Sequence, residues 1–162
     1  MEGRSVVQRQ DIEKLLQEGK NIQIKPQGYS MYPVLVPGRD EAVIEPIGKR
    51  RLRRGDVVLY RRDPEVTGGI LVLHRIWKCK QDGYYLVGDN QKEIEGPLRA
   101  EQVKGIMVGL VRKGKYISVK NIFYCIATRG WLLLRPMRPG ISKVTAFLKR
   151  LILTWIRKER KP

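Results

Sequence analysis

Along most of this chain, apolar and polar positions alternate in short runs, and glycine, proline or aspartate closes nearly every run. In residues 21–25, Ile22 and Ile24 fall on one side and Asn21, Gln23 and Lys25 on the other, which is the period-two pattern of a half-buried strand. Residues 41–46 and 57–62 give two further β-prone runs. Residues 70–77 are mostly apolar and long enough for a buried strand. Gln81-Asp82-Gly83 has the composition of a hairpin turn, so residues 84–87 return as the partner strand. Residues 91–97 read as a loop. Residues 103–112 and 116–119 form a last pair of strands around Lys113-Gly114-Lys115. One helix precedes them all: Ile12, Leu15 and Leu16 share a face, with Asp11 placed to cap it and Gly19 to stop it. The pattern predicts a mainly β fold, a sandwich or small barrel with a short N-terminal helix.

From Asn121 the pattern changes period. Val144, Phe147, Leu148, Leu151, Ile152 and Trp155 recur at helical spacing, predicting a C-terminal amphipathic helix. The chain therefore divides into a β-rich domain over residues 1–120 and a basic, tryptophan-containing extension over residues 121–162. A basic amphipathic helix with tryptophan suits an anionic membrane surface, with Trp131, Lys149, Arg150, Trp155, Arg157 and Lys158 as the contacting residues. Docking of the same face on the β domain or on a partner protein is the other reading. No secretory signal and no apolar run of membrane-spanning length is present. The expected location is cytoplasmic, or peripheral to the inner face of the cell membrane.

Charge sharpens this. The 162 residues carry a formal net charge of +17, so anionic partners are expected. Residues 49–54 hold five of the bases, as a solvated loop or as an electrostatic patch. No recognised nucleic-acid motif accompanies them, so nucleic acid is not an expected partner. Cys79 and Cys125 lack ligand spacing and His74 is the single histidine, which argues against a metal site. No cofactor is expected.

The candidate chemistry begins at Gly28-Tyr29-Ser30-Met31-Tyr32-Pro33. Glycine and proline bracket a tight turn that presents Ser30 at a fixed angle, as an acyl-transfer nucleophile requires. A serine hydroxyl needs a base, and His74, on the strand over residues 70–77, is the one imidazole available. A histidine in an apolar strand also serves as an ordinary buried side chain. If Ile76 and Trp77 pair near Tyr84 and Tyr85, His74 lies near residues 87–89, within reach of a carboxylate among Asp89, Glu93 and Glu95.

In order and rough spacing, Gly28-x-Ser30-Met31-x-Pro33, Arg54-Gly55-Asp56-Val57-Val58, His74-Arg75 and Gly88-Asp89-Asn90 resemble the boxes of the signal peptidase I superfamily. The likeness covers residues 19–109 and is to the archaeal and endoplasmic-reticulum branch, where histidine replaces the general-base lysine. The resemblance implies a β-fold shared with self-cleaving repressors. It makes Ser30 the nucleophile, with its backbone N–H in the oxyanion hole, and His74 the base. Glu95 matches the position of the triad acid, and Asp89 is the competing acid or a structural one. Gly28 stands where many signal peptidases carry an oxyanion-binding hydroxyl, and the family's usual N-terminal membrane anchor has no counterpart here. The expected function is a serine endopeptidase acting on precursor peptides or proteins with small side chains flanking the scissile bond. The alternative is a non-catalytic basic module that binds anionic lipid or nucleic acid.

Overall fold

The computed structural model describes residues 9–62 and 69–133. The fold is mainly β, as the alternation predicts: eight strands form one antiparallel sheet, with a short helix before it and a second helix after it. Helix α1 (Arg9–Gln17) leads. Strands β1 (Ile22–Ile24), β2 (Asp40–Glu45), β3 (Val57–Arg61), β4 (Leu71–Lys80), β5 (Gly83–Val87), β6 (Glu95–Leu98), β7 (Val103–Arg112) and β8 (Lys115–Ser118) follow, and helix α2 (Ile122–Leu133) closes the described chain. In space the strands run β1-β2-β7-β3-β4-β5-β6, with β8 also pairing β7. By compactness the chain divides into two units, Met1–Ile126 and Ala127–Pro162.

Alternation along the central strands sorts their side chains onto two apolar clusters. Val57 and Leu59 join one, with Met31, Leu35, Ala42, Ile44, Leu73 and Met107. Val58 and Tyr60 join the other, with Ile76, Leu86, Val103 and Ile106. A strand such as β3, buried on both faces, reads as a continuous apolar run because neither side is left for water.

Two differences from the sequence expectation have physical reasons. Asp11 lies within α1 and not at its start, because Arg9 and Gln10 are good helix formers and the helix includes them. The stop is where expected: the Gly19 N–H bonds Leu16 O at 3.1 Å and the Lys20 N–H bonds Leu15 O at 2.9 Å, the paired bonds of a glycine cap. Residues 95–98 are a strand and not part of a loop, because β6 is at the sheet edge, where Pro97 loses no ladder bond that the sheet needs. Helix α2 is capped by Asn121, whose Oδ1 accepts from the N–H of Phe123 at 2.9 Å and of Tyr124 at 3.3 Å. The amphipathic helix expected over residues 144–155 lies outside the described residues.

Candidate active site

Register places the polar cluster. Val58 pairs with His74, and Tyr60 pairs with Val72, so Tyr60 is the diagonal neighbour of His74 on the same face. Ile76, two residues beyond His74, pairs with Leu86, and Leu86 pairs with Glu95. His74, Tyr60 and Glu95 therefore converge at one end of a face that is otherwise apolar. The hairpin register differs by one to two residues from that expected: Ile76 meets Leu86 instead of Tyr84 or Tyr85, and an irregularity at Trp77 resets the ladder.

The His74 ring is 1 % exposed. Its Nδ1 lies 3.1 Å from Tyr60 Oη and 3.4 Å from Glu95 Oε1. The Tyr60 hydroxyl donates to Glu95 Oε2 at 2.5 Å. Arg62 grips the same carboxylate, its Nε bonding Oε2 at 3.0 Å and its Nη2 bonding Oε1. Burial pushes the His74 pKa down to about 4, partly offset by the charges of Glu95 and Asp89 and reinforced by Arg62. The ring is neutral at pH 7. Burial and the adjoining Glu95 carboxylate both raise the Tyr60 pKa, so the phenol keeps its proton.

The serine turn is built separately. Gly28 has φ +86°, a region that L side chains rarely adopt, although nothing crowds the space a Cβ would take. Met31 and Leu35 anchor the turn in the core, and the Leu35 N–H bonds Met31 O at 2.9 Å. Beyond it, the Asp40 carboxylate accepts from the Val36 N–H at 2.9 Å and is held by Arg39 and Arg112. Arg112 also bonds Val34 O at 3.1 Å. Burial pushes the Asp40 pKa up, but the two guanidiniums and the N–H outweigh it and hold the carboxyl well below the usual range. The Ser30 carbonyl accepts from the Asn90 N–H at 2.7 Å, and the Ser30 N–H donates to no other described residue. Gly88 is needed for this approach, since a Cβ there would lie 2.7 Å from Ser30 O.

The two candidate acids occupy different settings. Asp89 is buried and bound bidentately by Arg75 at 2.8 and 2.7 Å, and Arg75 Nη1 donates to Gly55 O at 2.8 Å. Asp89 thus fixes the loop on which Asn90 holds Ser30. Glu95 is the acid at the His74 ring. The structure joins Glu95 to His74, and Ser30 to the Gly88-Asp89-Asn90 loop. Among the described residues no hydrogen bond joins the Ser30 hydroxyl to His74. Tyr60 and Arg62 complete the cluster and were not singled out from sequence. Tyr60 shares the His74 face only through the β3–β4 register, which the period of β3 alone does not give. Of the membrane-surface candidates, Trp131 lies in α2 and is half-buried, while Lys149, Arg150, Trp155, Arg157 and Lys158 lie outside the described residues. Cys79 and Cys125 are not joined by a disulfide. Among the described residues no group of histidine, cysteine and acidic side chains is placed to hold a metal ion. No protein family, curated protein or solved structure matches the chain.

Proposed function

We propose that the protein is a serine endopeptidase of the signal peptidase type, with Ser30 as nucleophile, His74 as general base and Glu95 as the acid that orients the base. The observation that carries this reading is the buried His74 ring, held at Nδ1 by Tyr60 and Glu95 so that Nε2 is the nitrogen left to accept a proton. In the proposed reaction the Ser30 hydroxyl attacks a peptide carbonyl as its proton passes to His74 Nε2. The Ser30 N–H, which donates to no other described residue, donates to the oxyanion. The imidazolium then protonates the leaving amine, and water hydrolyses the acyl-enzyme. This requires Ser30 Oγ and Nε2 to come within hydrogen-bond reach on substrate binding, and catalytic hydrogen bonds often tighten only then. Asp89 and Arg75 support the turn without entering the chemistry.

A fluorophosphonate probe tests this directly. It labels the wild type at Ser30, as mapped by peptide mass spectrometry, and does not label Ser30→Ala. Equal labelling of both proteins would overturn the assignment.

A second reading, a basic module that binds anionic lipid, is favoured by one observation. Helix α2 exposes Ile122, Phe123 and Ile126, which are 64 %, 78 % and 62 % exposed, on a chain of net charge +17. Membrane binding and peptidase activity are compatible. Among the described residues no helix is long and apolar enough to cross a membrane.

A further inference from the structure

We infer that Tyr60 is the positioning residue of His74: its hydroxyl links the ring to Glu95 and sets which imidazole nitrogen carries the proton. This rests on the peptidase reading for its catalytic meaning but not for its structural test.

The number of hydrogens on each group fixes the direction of each bond. A phenol has one, and the Tyr60 hydroxyl gives it to Glu95 Oε2 at 2.5 Å. Tyr60 Oη can therefore only accept from His74 Nδ1, 3.1 Å away. The direct route from Nδ1 to Glu95 Oε1 spans 3.4 Å, long for a charge-assisted hydrogen bond. The shorter path runs from Nδ1–H to Tyr60 Oη, and from Tyr60 O–H to Glu95. A neutral ring with Nδ1–H carries its lone pair at Nε2, the nitrogen that a base must offer to a serine. Glu95 cannot turn away to break the chain, because Arg62 holds both its oxygens. The groups that face the ring from the packed elements are Tyr60 and Arg62 on or just after β3, Glu95 on β6, and Asp89 after β5, whose charge is taken up by Arg75. When Nε2 takes a proton, the positive ring keeps its Nδ1–H on Tyr60 and its charge opposite Glu95, so no further proton needs to move.

Because His74 is the only histidine, its two ring nitrogens can be read without assignment in the ¹⁵N-labelled full chain. At pH 7.5 the wild type is expected to show one neutral tautomer, with Nδ1 protonated and Nε2 not. Tyr60→Phe keeps the ring packing and removes the link. It is expected to lower the ratio of Nδ1–H to Nε2–H at least tenfold. Glu95→Gln leaves an amide oxygen for the Tyr60 hydroxyl and is expected to keep the wild-type tautomer. A wild type with Nε2–H, or a folded Tyr60→Phe with an unchanged tautomer, would overturn the inference. So would loss of the tautomer in Glu95→Gln, since that would make the direct carboxylate contact decisive. The same samples separate the two proposals. If Ser30 of the wild type reacts with a fluorophosphonate, Tyr60→Phe is expected to slow labelling by roughly ten- to a hundredfold, within the contribution of a positioned base; an unchanged labelling rate would overturn the positioning role. If Ser30 does not react while the tautomer behaves as described, the peptidase reading fails and the Tyr60 link stands.

Discussion

His74 spends its burial on two properties at once. Removal from water makes the charged ring costly, so its pKa falls to about 4, and the same burial fixes its orientation against Tyr60 and Glu95. A folded-state pKa below the unfolded value of about 6.5 means that the unfolded chain binds more protons between those values. Stability from this group is thus fully present above about pH 6.5 and is lost as pH falls through 4. The loss is roughly 3 kcal/mol, from the size of the shift and the linkage relation. Urea denaturation at pH 7.5 and pH 4 is expected to show this difference, and His74→Gln is expected to remove that part of it. An equal pH slope in wild type and variant would show that the ring is not the source. With His74 as the base in the proposed reaction, the same pKa would set the profile of Ser30 reactivity. Labelling by a neutral fluorophosphonate is expected to rise through about pH 4 and to level off by about pH 6, below the range of an ordinary histidine. A rise centred near 6.5 would mean that water reaches the ring more freely than its burial implies.

At the scale of elements, the loop after β5 is a joint between two structures. One side is the buried pair of Arg75 and Asp89, and the other is the Ser30 turn, joined through the Asn90 N–H. Asp89→Ala leaves the Arg75 guanidinium buried without its carboxylate and is expected to cost about 3–5 kcal/mol. Replacing both by apolar residues of similar volume is expected to cost much less, because no uncompensated charge remains. Chemical denaturation of the single and double variants checks the order. Gly88→Ala is expected to act locally, forcing the loop off Ser30 O and speeding exchange of the Asn90 amide. How much of this was legible in sequence follows from the range of each interaction. Strand β7 was read at its observed bounds because period-two alternation is local. The Ser30 turn was legible because glycine and proline carry their constraints with them. Edge strand β6 was not, since Gly96 and Pro97 mask a pairing that only the neighbouring β5 reveals. The choice between Asp89 and Glu95 depended on the irregularity at Trp77, where a shift of one residue changes which side chains share a face. Tyr60 was missed for a related reason: its partners, His74 and Glu95, are distant in sequence and meet it only through the sheet.

For the whole molecule, charge and exposed apolar surface point the same way. An excess of bases of this size is expected to attract the chain to anionic surfaces over roughly a Debye length, about 8 Å at physiological ionic strength, but charge alone gives binding that salt abolishes. Ile122, Phe123 and Ile126 fall on one side of α2, spaced as i, i+1 and i+4, and all three remain in water. Burying such side chains in a lipid interface stabilises by about 25 cal/mol per Å² of apolar area removed from water, a contribution that salt does not screen. Binding to vesicles rich in phosphatidylserine should therefore have two parts. In flotation assays the full chain is expected to bind these vesicles and not neutral phosphatidylcholine ones, and to keep a bound fraction at 0.5 M salt. The variant with Ile122→Ser, Phe123→Ser and Ile126→Ser is expected to bind at low salt, through charge, and to be released at high salt. Equal retention of variant and wild type at high salt would show that this face of α2 does not enter the interface. Retention by neutral vesicles would show that the charge is not what selects the surface.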